Sequence, residues 1–91
     1  MAAKRIIVYG RVQGVGFRYF VQAVAERLRV TGSVCNCPDS TVEIFAAGSP
    51  GHIEEFIQQV KKGPSLARVR HLDIQELPDP PDYKSFSIEG W

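Results

Sequence analysis

The chain has 91 residues, 44% of them hydrophobic and 23% charged, which suits one small globular core and leaves no length for a second. No apolar run approaches the ~20 residues of a membrane helix, and a formal net charge of +1 argues against a nucleic-acid binder built on bulk electrostatics. The charge is unevenly spread: residues 1–30 carry six Lys and Arg against Glu26 alone, whereas residues 31–91 carry five against nine Asp and Glu.

Met1-Ala2-Ala3-Lys4-Arg5 leads straight into a strand-like run with no signal-peptide core, so a cytoplasmic location is expected. Ile6, Ile7, Val8 and Tyr9 predict a strand over 5–12. The stretch YGRVQGVGFRYF, residues 9–20, then crowds Gly10, Gly14 and Gly16 beside Arg11 and Arg18. Phe17, Phe20, Val21, Val24, Ala25 and Leu28 fall on one side of a helix of about three turns, and Gly32 lies where it should stop. Residues 33–37 read as a short strand. Pro38-Asp39-Ser40 is turn chemistry, and residues 41–47 complete a hairpin. Ser49-Pro50 opens a second helix, with Ser as N-cap and Pro in the first helical position. Its buried stripe is Ile53, Phe56, Ile57 and Val60; Glu54 and Glu55 sit early, Lys61 and Lys62 late, as the helix dipole favours. Gly63-Pro64 stops it. Strands are expected over 69–77 and around Phe86 and Ile88, separated by the stiff Asp79-Pro80-Pro81-Asp82 loop.

The order β-α-β-β-α-β with a terminal strand gives each helix one apolar stripe that needs a sheet. The economical solution is α+β: a ferredoxin-like βαββαβ sandwich, with a mainly antiparallel sheet of four to five strands and two helices on one face. Residues 1–91 are read as one domain. In this topology the first two strands run parallel, so the loop after the first and the end of the second share one edge. Asn36 is therefore expected near Gly14-Val15-Gly16.

Glycines let successive backbone N–H groups converge on an anion, and a helix start adds free donors and the positive dipole end. Arg18 falls in the first turn, where a cation opposes the dipole unless an anion lies between them. On spacing alone, a phosphate cradle and a plain tight turn with a solvated Arg18 stand level. No Gly-Lys-Ser/Thr follows, so the loop is not a P-loop, and Tyr19 occupies the third glycine position of a dinucleotide fingerprint.

Cys35 and Cys37 lack the Arg of a Cys-nucleophile phosphatase loop, since Thr41 and Glu43 stand where it would be. Neighbours at i and i+2 are poorly placed for a disulfide, and no second Cys pair or nearby His completes a zinc set. Both are read as reduced thiols without a chemical duty. His52 and His71 read as surface or packing residues, and the scattered carboxylates suggest no metal cage. What remains is a phosphate cradle, one arginine and Asn36. Such an inventory suits a carboxyl-phosphate anhydride, whose carboxylate departs without a general acid and whose hydrolysis needs positioning and charge stabilisation.

Residues 10–18, GRVQGVGFR, closely resemble the signature loop of the acylphosphatases. Gly32-Ser33-Val34-Cys35-Asn36, Pro38-Asp39, Val42-Glu43, residues 63–69 and Phe86-Ser87-Ile88 are similar to further family motifs. The resemblance implies hydrolysis of acyl phosphates to carboxylate and phosphate without cofactor or metal. It implies that Arg18 and the backbone N–H groups of Gln13, Gly14, Val15, Gly16, Phe17 and Arg18 bind the phosphoryl group, and that Asn36 positions water. Departures are Ser33 in place of a usual Trp, Cys35 in place of a basic residue, and Ser40 in place of a turn glycine. A monomer acting on a small-molecule acyl phosphate is expected, with no nucleic-acid or membrane partner. The alternative is a non-catalytic ferredoxin-like binding or regulatory domain for a phosphorylated ligand or RNA. A module cut from a larger carbamoyl-transfer protein is disfavoured, because no zinc-binding cysteines follow and the chain is expected to be complete.

Overall fold

Alternation along β1 (Ala2–Arg11) decides which way the molecule faces. Ile6 and Val8 are fully buried, whereas Arg5 and Ile7, which precede each of them, are only half-covered. That period-two pattern is a strand with one face on the core. The computed structural model describes residues 1–90; the expected domain ends one residue beyond them.

Four more strands follow: β2 (Thr31–Asn36), β3 (Val42–Gly48), β4 (Arg68–Glu76) and β5 (Phe86–Glu89), in the sheet order β4-β1-β3-β2-β5. β1 runs antiparallel to both β3 and β4, pairing Ile6 with Ile44 and with Ile74. β2 is antiparallel to β3 and parallel to β5. β1 and β2 are thus parallel to each other with β3 between them, so the β1–α1 loop and the C-terminal end of β2 lie at the same edge.

Both helices cover one face. α1 (Phe17–Arg27) buries Phe17, Val21, Val24 and Ala25; α2 (Pro50–Lys62) buries Ile53, Phe56, Ile57 and Val60. These side chains join Ile6, Val8, Val34, Val42, Ile44 and Ala46 in one core cluster. β5 is drawn in by Phe86, whose ring centroid lies 6.0 Å from that of Phe56, and by Gln22 Nε2, which donates to the Phe86 carbonyl at 3.0 Å. Among the described residues, no helix is long and apolar enough to cross a membrane.

The ferredoxin-like α+β expectation holds, with three corrections of detail. α1 does not stop at Gly32, which lies inside β2. Instead Arg29 takes φ 57°, and the N–H groups of Val30 and Arg29 donate to Ala25 O at 2.8 Å and Glu26 O at 3.3 Å. That is a Schellman closure made without glycine. Glu54 and Glu55 fall beyond the first turn of α2, which contains no acidic residue. β1 begins earlier than its apolar run, because Ala2 and Ala3 pair with Gly48 and Ala47.

Candidate active site

Between β1 and α1 the chain alternates anchor and opening. Val12 and Phe17 are each 1% exposed, and Val15 packs against the core, while Gly14 and Gly16 face solvent. The two glycines take φ 72° and 76°, a left-handed conformation that side-chain-bearing residues adopt at a cost. A Cβ at either would meet open space, so backbone shape rather than crowding calls for glycine there.

Gly16 is the N-cap of α1 and brings no side chain to accept from the helix. The first intrahelical bond is Phe20 N–H to Gly16 O, 3.1 Å. The N–H groups of Phe17, Arg18 and Tyr19 precede it, without a capping side chain, at the positive end of the dipole. α2 differs: Ser49 Oγ accepts from His52 N–H there.

Gly14, Gly16, Arg18 and Asn36 line one cavity of about 190 Å³, with Val12 and Phe17 as its apolar wall and Tyr19 alongside. Arg18 is half-buried, and among the described residues no carboxylate forms an ion pair with it. Arg11 does not line this cavity; it ends β1, opposite Arg68. Asn36 is the last residue of β2, paired with Val42. Alternation with the fully buried Val34 puts it on the helix-covered side, and its Oδ1 is shielded from solvent. The expected approach of Asn36 to the glycine loop is thus observed.

The Gln13 side chain has a role that the sequence does not announce. It turns to the β2–β3 turn, where Nε2 donates to Cys37 O at 2.8 Å and Thr41 O at 2.9 Å. One amide therefore staples the glycine loop to the segment just beyond Asn36. That turn has its own ties: Cys37 N–H to Thr41 O, 2.9 Å, and Ser40 N–H to Cys37 O, 3.1 Å. Asp39 Oδ1 accepts from the Thr41 hydroxyl at 2.5 Å and from its amide at 3.1 Å. The Thr41 hydroxyl above all, with its amide, holds the Asp39 carboxyl below its usual range. Ser40 adopts φ 75°.

A larger cavity, about 680 Å³, opens on the helix-free face beside Tyr9, Glu43 and Asp73. It lacks every glycine of the loop, and Arg5 Nε bonds Glu43 Oε2 across that face at 2.7 Å. His71 lies on β4 with Nε2 2.9 Å from Asp73 Oδ1, and His52 starts α2 in the open; neither lines the loop cavity. Cys35 and Cys37 are free thiols. Burial, then the Cys37 and Glu43 charges, push the Cys35 thiol upward. Sequence reasoning missed two contributors, the Gln13 side chain and Tyr19. Tyr19 had a legible signal, its place beside Arg18 in the first helical turn.

Fold and site together define a ferredoxin-like α+β domain with a small cavity built from a strand-to-helix glycine loop, an arginine and a neighbouring strand end. The family model described as Acylphosphatase matches residues 4–88. An acylphosphatase of Clostridium acetobutylicum is 42% identical over 83 residues, 91% of each chain. The crystal structure of an acylphosphatase from Bacillus subtilis superposes with a TM-score of 0.96 at 41% identity, covering 99% of this chain and 100% of that one. HypF of T. kodakarensis contains a similar fold, with a TM-score of 0.87 and 36% identity over 99% of this chain but 12% of its own. The chain belongs to the acylphosphatase family and is a hydrolase of that family.

Proposed function

We propose that this chain hydrolyses the carboxyl-phosphate bond of small acyl phosphates, with Arg18 and Asn36 as its catalytic residues. The observation that carries this reading is the single cavity lined by Gly14, Gly16, Arg18 and Asn36. The phosphoryl group sits in the backbone N–H groups from Gln13 through Gly14, Val15, Gly16 and Phe17 to Arg18. The Arg18 guanidinium, which no carboxylate among the described residues engages, clamps its oxygens in a bidentate manner. The Asn36 amide orients a water against phosphorus. The P–O bond to the acyl group breaks, carboxylate leaves as an anion, and the water's proton passes to phosphate and solvent. Fixed donors aimed at the developing charge supply the rate, so no group with a strongly shifted pKa is required.

We further propose that residues 1–91 act as one monomeric, cytoplasmic domain that needs no metal or cofactor for turnover and binds no nucleic acid. The net charge of +1 supports the last point.

The test is release of phosphate from acetyl or benzoyl phosphate with EDTA present. Hydrolysis is expected in the unmodified chain. Arg18→Ala and Asn36→Ala, checked for folding by circular dichroism, should each lose about a hundredfold or more. Full activity in either variant overturns the role assigned to that residue. Inactivity of the unmodified chain together with salt-sensitive RNA binding would favour a non-catalytic binding domain.

A further inference from the structure

The outer face of β2 carries chemistry that hydrolysis does not use. Cys35 and Cys37 flank Asn36, and Cys35 pairs with Glu43 across the β2–β3 ladder. The two Sγ atoms and a Glu43 carboxylate oxygen lie within 4.8 Å of one another, all three residues half-buried. We propose that Cys35, Cys37 and Glu43 form a binding site for a single borderline-soft divalent cation of the zinc type, on the opposite face of the strand from Asn36.

Thiolate sulfur selects such ions, and a carboxylate oxygen is a competent third donor. Sulfur sits about 2.3 Å and oxygen about 2.1 Å from zinc, which sets tetrahedral donors roughly 3.4–3.8 Å apart. The remaining gap, from at most 4.8 Å, is about 1 Å, of the size that side-chain rotation spans. Arg5 Nε already holds Glu43 Oε2 at 2.7 Å, which orients the carboxylate and leaves Oε1 for the ion, as the partners of metal ligands commonly do. The charges balance: two thiolates and one carboxylate against a divalent ion and the Arg5 guanidinium. Glu89, opposite Cys35 in the β2–β5 pairing, adds negative potential on the far side. Access is provided, since Cys37 and Glu43 line the cavity on the helix-free face. A fourth position stays open to water. With a ligand on each side of Asn36 in the chain, a bound ion would fix that segment from behind.

The experiment is titration of the reduced, full-length chain with Co2+ as an optical probe, followed by displacement with Zn2+. The expected result is one Co2+ per chain with thiolate-to-metal charge-transfer absorption, removed by one equivalent of Zn2+. Cys35→Ser and Cys37→Ser should each abolish that absorption, and Glu43→Gln, which keeps both thiols, should weaken Zn2+ binding about tenfold or more. His71→Ala should leave binding unchanged. Absence of thiolate absorption in the unmodified chain, or equal Zn2+ affinity in Glu43→Gln, overturns the site; so does loss of binding in His71→Ala. The readout is optical, so it stands or fails independently of phosphate release.

Discussion

Ser40 occupies a left-handed position, φ 75°, in the turn that follows Asn36, and a side chain there is strained. The family pattern that the sequence resembles expects glycine at that point, and the observed dihedral is one that favours glycine. Ser40→Gly relieves the strain at some cost in unfolded-chain entropy. The expected net effect is a gain of up to about 1 kcal/mol, read as a higher urea midpoint with an unchanged slope. Equal midpoints would mean that the turn relaxes around serine at no cost. Ser33 and Cys35, the other departures from the family pattern, sit on the face away from the core residue Val34 by strand alternation. Cys35 is half-buried on that face and Ser33 is buried there, and the side facing Arg18 is left intact.

At the scale of elements, the Gln13 amide joins two segments that carry different halves of the cavity. Gln13→Ala removes both bonds to the turn and leaves the Cys37 and Thr41 carbonyls with only their backbone donors, Ser40 N–H and Cys37 N–H. A turnover loss of about ten- to a hundredfold is expected from misplacement alone, with the fold retained by circular dichroism; wild-type turnover would show that the loop holds its shape unaided. The Asp39 tie is pH-dependent. Its folded pKa is depressed, so its contribution is fully present above the ordinary carboxylate value of about 3.9 and is lost as pH falls through the lower folded value. Asp39→Ala should therefore be less stable than the unmodified chain near neutrality, with the gap in urea midpoints closing in acid. A gap independent of pH would assign the effect to the turn's shape rather than to the carboxylate.

These elements also show what a reader of the sequence can reach. Both helices were legible from their apolar stripes, and the start of α2 from Ser49-Pro50, because those signals are local. The early start of β1 was not, since only pairing with Gly48 and Ala47 makes Ala2 and Ala3 a strand. The end of α1 was misread because Arg29 performs a turn that glycine usually makes. Arg18 stood out through the glycine loop beside it, and the placement of Asn36 followed from topology. The Gln13 staple was invisible, because its partners are backbone carbonyls 24 and 28 positions away, and carbonyls look alike in every sequence. Glu43 as neighbour of the two thiols is likewise a fact of register alone.

For the whole molecule, the last strand completes the core rather than decorating it. Phe86 is 4% exposed and packs on Phe56, though it lies on an edge strand of four residues. Phe86→Ala should cost about 3–5 kcal/mol, as large buried aromatics do, measured by urea unfolding. A cost below about 1 kcal/mol would mean that β5 docks loosely and the core closes without it.

The insertion of β3 between β1 and β2 has a consequence for how the cavity comes into being. Arg18 follows β1 and Asn36 ends β2, yet the two strands never touch; each is positioned by hydrogen bonds to a third that is made later in the chain. No contiguous stretch ending before β3 holds both residues in place. The cavity is therefore absent from any form that lacks the β3 pairings, and it takes shape only once residues 42–48 have slotted between their neighbours.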